Sequence, residues 1–308
     1  MVVKEIMKRH KRNILIAVSA LLLSLMFSFP ALTFFANAIS PPPKAVNVSA
    51  APIDAEAGSE TYRLPIVMYH SIHKNQSGKY NIPPQQLEKD LVYIKEKGYT
   101  AVLVSDLVNF QEKGKPLPEK PIMLTFDDGS LSVYLHAFPL LKKHNMKFVI
   151  AAVGSFTNAN YDKDGNIRSD MRSSMNWEQL KEIYDSGLAE IQNHSYNMHS
   201  FNKGRNGMKR NKDENLEDYK AVISRDLGKM KGLIREKTGF ECTAVAYPFG
   251  AFTYCLPEII KDEGYKAALI CYEKINIISR DSDLFNLCRY NRPGGISTES
   301  FFESKMKL

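Results

Sequence analysis

The chain lacks the marks of several kinds of chemistry. Its four cysteines, Cys242, Cys255, Cys271 and Cys288, form no CxxC pair and show no zinc-ribbon spacing. Disulfides are open to an exported chain, but a domain of this size does not need them, and buried thiols that pack like small hydrophobes are the first reading. No GxGxxG follows an apolar run, so nothing points to a dinucleotide. There is no basic stripe either. The net charge is +7, but Lys4, Lys8, Arg9, Lys11 and Arg12 against Glu5 alone put +4 of it in residues 1–13. The remainder is diluted along the chain, which argues against a nucleic-acid face. Between Asn13 and Lys44 there is no charge at all.

That last absence has a positive content. Residues 14–35, ILIAVSALLLSLMFSFPALTFF, are long enough to span a bilayer. The basic residues before them hold that end in the cytoplasm. The length favours an uncleaved anchor, while Ala36-Asn37-Ala38 has the small-x-small form of a signal cleavage site. Both remain open. Either places residues 39 onward outside the cytoplasm, in the cell membrane or secreted after cleavage near Ala38. The division is then a basic segment at 1–13, an anchor or signal peptide at 14–38, and a Pro-rich flexible linker at 39–62. A folded region covers 63–308.

Within that region composition is ordinary for a globular protein, and one pattern recurs. An amphipathic stretch ends in Gly or Asn, and a short apolar run follows. Residues 83–98 carry Leu87, Leu91 and Ile94 on one helical face before Gly98. Residues 214–237 keep Leu216, Tyr219, Ile223, Leu227, Met230 and Ile234 in helical register. Pro139 falls inside another helical run and is expected to kink it. The apolar runs are 64–69, 101–104, 121–126, 147–153, 188–192, 243–247 and 266–270, with 285–290 as an eighth candidate. Most do not alternate, as expected of strands buried on both faces of a parallel sheet. Seven or eight such units imply an α/β fold, a distorted (β/α)7-8 barrel. A doubly wound open sheet is the second reading.

In a β/α barrel the chemistry sits where strands end. Asp127 and Asp128 follow 121–126, and His194 and His199 follow 188–192. His70 follows 64–69, and Tyr247-Pro248-Phe249-Gly250 closes 243–247. One Asp with two His is a common catalytic metal set with an open position for water. Five residues apart, His194 and His199 would diverge by about 140° on a helix, so a strand end and its loop suit them better. Adjacent aspartates alternate sides on a strand, and Gly129 permits the turn that brings both to one site.

Those residues carry a resemblance. Thr125-Phe126-Asp127-Asp128-Gly129 is similar to the first motif of the polysaccharide deacetylases, the carbohydrate esterases that act on chitin, chitooligosaccharides and peptidoglycan. His194-Ser195 with His199 resembles the second motif, and Ala246-Tyr247-Pro248-Phe249-Gly250 the third. Three departures share a direction. The histidines are five apart, Ala246 stands where an Arg is usual, and no histidine follows His199. The circularly permuted branch that deacetylates poly-β-1,6-N-acetylglucosamine has this wider spacing and brings its catalytic His first, here in Met68-Tyr69-His70.

The resemblance implies a metal-dependent hydrolase that removes N-acetyl groups from an extracellular polysaccharide. Asp128, His194 and His199 would hold a divalent metal, zinc first, with cobalt, nickel or iron as alternatives. Asp127 would be the base and His70 the acid, with Phe249 and Tyr247 at the oxyanion and substrate. With Ala246 in place of the Arg, Arg289 is the candidate to orient Asp127. A peptidoglycan or chitin-type deacetylase and an inactive sugar-binding module are the competing readings.

Overall fold

The computed structural model describes residues 60–74, 77–159, 174–201 and 204–308. The expected segments at 1–13 and 14–38, and nearly all of the linker at 39–62, lie outside the described residues. Among the described residues, no helix is long and apolar enough to cross a membrane.

Eight strands form one parallel sheet: β1 (Ile66–Tyr69), β2 (Thr100–Ala101), β3 (Pro121–Asp128), β4 (Phe148–Ala152), β5 (Ala189–Asn193), β6 (Ala244–Ala246), β7 (Ala267–Leu269) and β8 (Tyr290–Asn291). Their spatial order is β7-β6-β5-β4-β3-β1-β8, with β2 paired to the start of β3. The sheet curls, and a parallel bridge between Leu269 and Leu287 links β7 to the segment that leads into β8. This is a curled parallel α/β sheet of the kind that a (β/α) barrel contains.

The continuous apolar runs follow from burial on both faces. On one face Ile66, Met123, Val149, Ala244 and Ala267 meet in an inner cluster. On the other, Val67, Leu124, Phe126, Ile150, Ile191 and Val245 pack under the helices. Helix α1 (Pro84–Glu96) buries Leu87, Leu91 and Ile94 there, as the spacing requires. The long helix at Leu216–Thr238 starts at Asn215, whose side chain accepts from Asp218 N at 2.8 Å. Its first apolar residue, Leu216, is exposed rather than in the buried stripe, which begins at Tyr219.

Polar residues mark where the sheet opens. Gln192 is fully buried, and its Oε1 accepts from Thr243 N at 2.9 Å and Ala244 N at 2.8 Å. The side chain stands in for backbone pairing between β5 and β6, which share a single register pair, Asn193 with Val245. Satisfying those buried amides avoids the desolvation cost of orphaned donors.

Three local expectations change. Of the run 101–104, only Ala101 belongs to a strand. Asp106 Oδ2 accepts from Leu103 N at 2.9 Å and starts a helix at Val104. The run 285–290 yields strand only at Tyr290, because Asp283 caps a 3-10 turn over Leu284–Asn286. Pro139 does not kink an α-helix. It sits in the first turn of Phe138–His144, after a π-helical turn at Val133–Ala137 absorbs the change of register.

Candidate active site

Strand register brings the sequence-separated residues to one level. Asp127 pairs with Ala151, Asp128 with Ala152, and Ala152 with Asn193, so His194 emerges beside Asp128. Tyr69 pairs with Phe126, which sets His70 level with Asp127. On a regular strand Asp127 and Asp128 would point to opposite faces. Asp128 instead has φ +71°, and Gly129 follows at +72°. Asp tolerates the left-handed region better than most side chains. The reversal turns the second carboxylate back toward the mouth of the sheet. A Cβ at position 129 would also stand 3.3 Å from the Ala152 Cβ, so glycine fits both the turn and the neighbouring strand.

His194 is buried, and its Nδ1 lies 2.8 Å from Ala246 O. A proton on Nδ1 satisfies that carbonyl and leaves Nε2 with a free lone pair. Nε2 of His194 and Nε2 of His199 lie 3.5 and 3.1 Å from Asp128 Oδ1. That oxygen is buried and accepts no hydrogen bond. Two ring nitrogens and a carboxylate oxygen thus converge, with all three ligand atoms within 4.8 Å of one another. Converging lone pairs are unfavourable without a cation between them, so the donor set fits a divalent metal with mixed nitrogen and oxygen ligands.

The loop from His194 to His199 is built for its five-residue span. Asn193 Oδ1 accepts from Ser195 N at 2.8 Å, and Ser195 takes φ +74°. Asp226, on the long helix, accepts from Tyr196 N at 2.7 Å and Asn197 N at 2.9 Å. In the sequence Asp226 reads as a solvated helix charge. Its helical spacing gives no sign of the two amides it holds.

Asp127 is buried and gripped from behind. Arg289 NH1 donates to Asp127 Oδ1 at 2.7 Å and NH2 to Oδ2 at 2.8 Å. The guanidinium is itself fully buried and also donates to Thr125 Oγ1 at 3.2 Å and Ile270 O at 3.2 Å. Burial alone would raise the Asp127 pKa; Arg289 outweighs it, with His194 and His70 adding, and holds the carboxyl below its usual value. For Asp128, burial again raises, and the two imidazoles overcome it and hold the group well below the carboxylate range. His70 is lowered, chiefly by burial, against the pull of Asp127 and Asp128.

One cavity of about 660 Å³ collects these groups: His70, Asp127, Asp128, His194, His199 and Phe249 all line it. Met68 and Cys271 line it too, with their sulfurs 3.9 Å apart. Tyr247 does not. Its ring is fully buried against Phe252, centroids 5.1 Å apart, so it offers a substrate no side chain. The reason is strand alternation, which turns Tyr247 into the helix-side core. All four cysteines are free; Cys242 and Cys255 are buried, and Cys271 and Cys288 half-buried.

A parallel α/β sheet with an Asp-His-His cluster and a second, Arg-held Asp at its strand ends defines a hydrolase site of the metal-assisted kind. The polysaccharide deacetylase family model matches residues 114–268, and the chain belongs to the polysaccharide deacetylase family. A poly-beta-1,6-N-acetyl-D-glucosamine N-deacetylase of Staphylococcus aureus is 25% identical over 82% of this chain and 85% of its own length. A de-N-acetylase from Aggregatibacter actinomycetemcomitans superposes with a TM-score of 0.65 at 25% identity, covering 80% of this chain and all of that one. IcaB from Ammonifex degensii gives 0.63 at 25% identity, over 79% and 95%.

Proposed function

We propose that the chain removes N-acetyl groups from poly-β-1,6-N-acetylglucosamine outside the cell, on a distorted (β/α)7-8 barrel. The observation that carries the chemistry is convergence. Asp127, Asp128, His194, His199 and His70, from three separate strand ends, line one cavity. The choice of polymer is supported by the named relatives, which match along most of the domain.

Asp128, His194 and His199 hold the metal, with zinc the first choice for two imidazoles and a carboxylate. When bound it polarises the acetamide carbonyl and acidifies water. Asp127 takes the proton of the attacking water on a carboxylate oxygen that Arg289 leaves with a spare lone pair. A backbone N–H near Phe249 would stabilise the oxyanion as the new C–O bond forms. His70 delivers a proton to the amide nitrogen as the C–N bond breaks, which releases acetate and a glucosamine unit. The apolar segment at 14–38 serves as anchor or export signal, and 39–62 as a tether.

The test is acetate release by the full chain from β-1,6- and β-1,4-linked N-acetylglucosamine oligomers in parallel. The β-1,6 oligomer is expected to be the better substrate; preference for β-1,4 would favour a peptidoglycan or chitin-type enzyme. A chelator should abolish release, and added zinc should restore it. Asp128→Asn should lower activity by more than about 10²-fold, since even an outer partner of a metal ligand is worth about 10–100-fold. Undiminished activity in that variant would remove Asp128 from the ligand set.

A second prediction concerns Asp226. It holds the loop that presents His199 and does not line the cavity. Asp226→Ala should weaken zinc affinity about 10–100-fold in a competition titration. Wild-type affinity would show that the loop holds His199 without it.

A further inference from the structure

The cavity continues beyond the metal ligands into an aromatic face. Phe249 lines the cavity, its ring centroid 4.4 Å from that of His199. It stacks on Phe201, centroids 4.6 Å apart and planes 22° apart. Phe249 is 42% exposed and Phe201 72%. Single exposed phenylalanines are ordinary, but a stacked pair with one ring lining the catalytic cavity offers apolar surface beside it.

Two features show that the face is built. Phe249 holds its ring there from φ +59°, in the left-handed region where a β-carbon is disfavoured. The loop bearing Phe201 is tied to the turn bearing Phe249. Arg210 N donates to Thr253 Oγ1, just after that turn, at 2.8 Å, while Gly207 N closes its own segment on Ser200 O at 3.2 Å. Gly207 packs so tightly that a Cβ there would come within 2.8 Å of Pro248 O. The segment around Gly207 is thus packed against the turn that carries Phe249.

We infer that the Phe201–Phe249 pair is a subsite that stacks the sugar ring next to the one being deacetylated. The occupant is the polymer already in the cavity, so this rests on the proposed function. A β-linked N-acetylglucosamine ring has equatorial substituents, and its faces are C–H surfaces. Those polarised hydrogens meet the negative face that Phe201 leaves open, its other face being stacked on Phe249. Tyr80, 46% exposed and 4.7 Å from the His70 ring, lines the same cavity and adds a second aromatic surface.

The experiment uses the full chain, zinc-loaded, with β-1,6-linked N-acetylglucosamine dimer and pentamer. Wild type should favour the pentamer in kcat/KM. Phe201→Leu keeps apolar bulk and loses the π face. It should raise KM for the pentamer about tenfold with little change in kcat, and Phe201→Trp should restore it. An unchanged length preference in Phe201→Leu, or an equal fall in kcat on both substrates, overturns the subsite. Calorimetric binding of the pentamer to Asp127→Asn reads the face without turnover. There Phe201→Leu should weaken Kd about tenfold, and equal Kd or no binding of the pentamer overturns the subsite. If the pentamer binds through Phe201 and wild type releases no acetate, the subsite stands and the deacetylase assignment falls.

Discussion

Arg289→Gln should lower kcat by about 10²-fold or more, the range that a positioned general base contributes. The loss follows from geometry. Both Asp127 oxygens are held by the two ends of one guanidinium, at 2.7 and 2.8 Å. A glutamine cannot offer that fork, and Arg289→Lys should fail nearly as badly, because an ammonium is a point charge. The pH profile should move as well. Arg289 holds the Asp127 carboxyl below its usual value, against burial that raises it. Asp127 must be ionised to accept a proton, so activity is present above its pKa and lost below it. Without Arg289 that pKa rises, and the acid limb of kcat/KM shifts to higher pH. Metal content measured alongside should stay stoichiometric. A variant within a few-fold of wild-type kcat, with an unmoved acid limb, would show that Arg289 only fills the core.

Removing one partner should also destabilise the fold. Both side chains are essentially buried, and an unpaired buried charge costs about 3–5 kcal/mol. The double variant Asp127→Asn with Arg289→Gln should recover much of that stability and none of the activity. That contrast separates loss of the base from loss of the fold in one pair of proteins.

Arg289 illustrates what the sequence shows and what it hides. The parallel sheet was legible because strands covered on both faces read as unbroken apolar runs. The chemistry was legible because acids and imidazoles followed those runs, at positions where burial makes them costly. Arg289 could be suspected because Ala246 left a charge unaccounted for. Other features depend on side chains that capture backbone at a distance. Asp106 converts an apolar run into a helix start through one bond to Leu103 N. Tyr62–Leu64 pairs antiparallel with Asn276–Ile278, a contact between the two ends of the domain that no local pattern announces. Tyr247 reads as available because its motif is at the site, yet its ring is buried in the core on the helix side of the sheet. Asp226 and Asp90 lie on helices where a charge every few residues is the normal polar face, so their burial shows only in the fold.

Asp90 carries the last prediction. Asp90→Ala should lower Tm by about 10 °C, from a cost of about 3–5 kcal/mol at roughly 2–4 °C per kcal/mol. Asp90 and Arg292 have fully buried side chains and pair at 2.8 and 3.0 Å. Thr298 Oγ1 and Tyr69 Oη also donate to Asp90, at 2.7 and 3.2 Å. Arg292 completes its set on Pro293 O and Ile296 O, and its own N–H reaches Met68 O at 3.0 Å. The network therefore ties α1 and the C-terminal segment to β1. Replacing both charges with apolar residues of similar size should cost less than either single change, because no charge is then left buried alone. The site should feel the single variant too. Tyr69 precedes His70, and Arg289 and Arg292 flank the two residues of β8. Loosening that strand frees the residues behind Asp127 and beside His70, so kcat in Asp90→Ala should fall at temperatures well below its Tm. A Tm within about 2 °C of wild type would mean that apolar packing alone holds β8 in place.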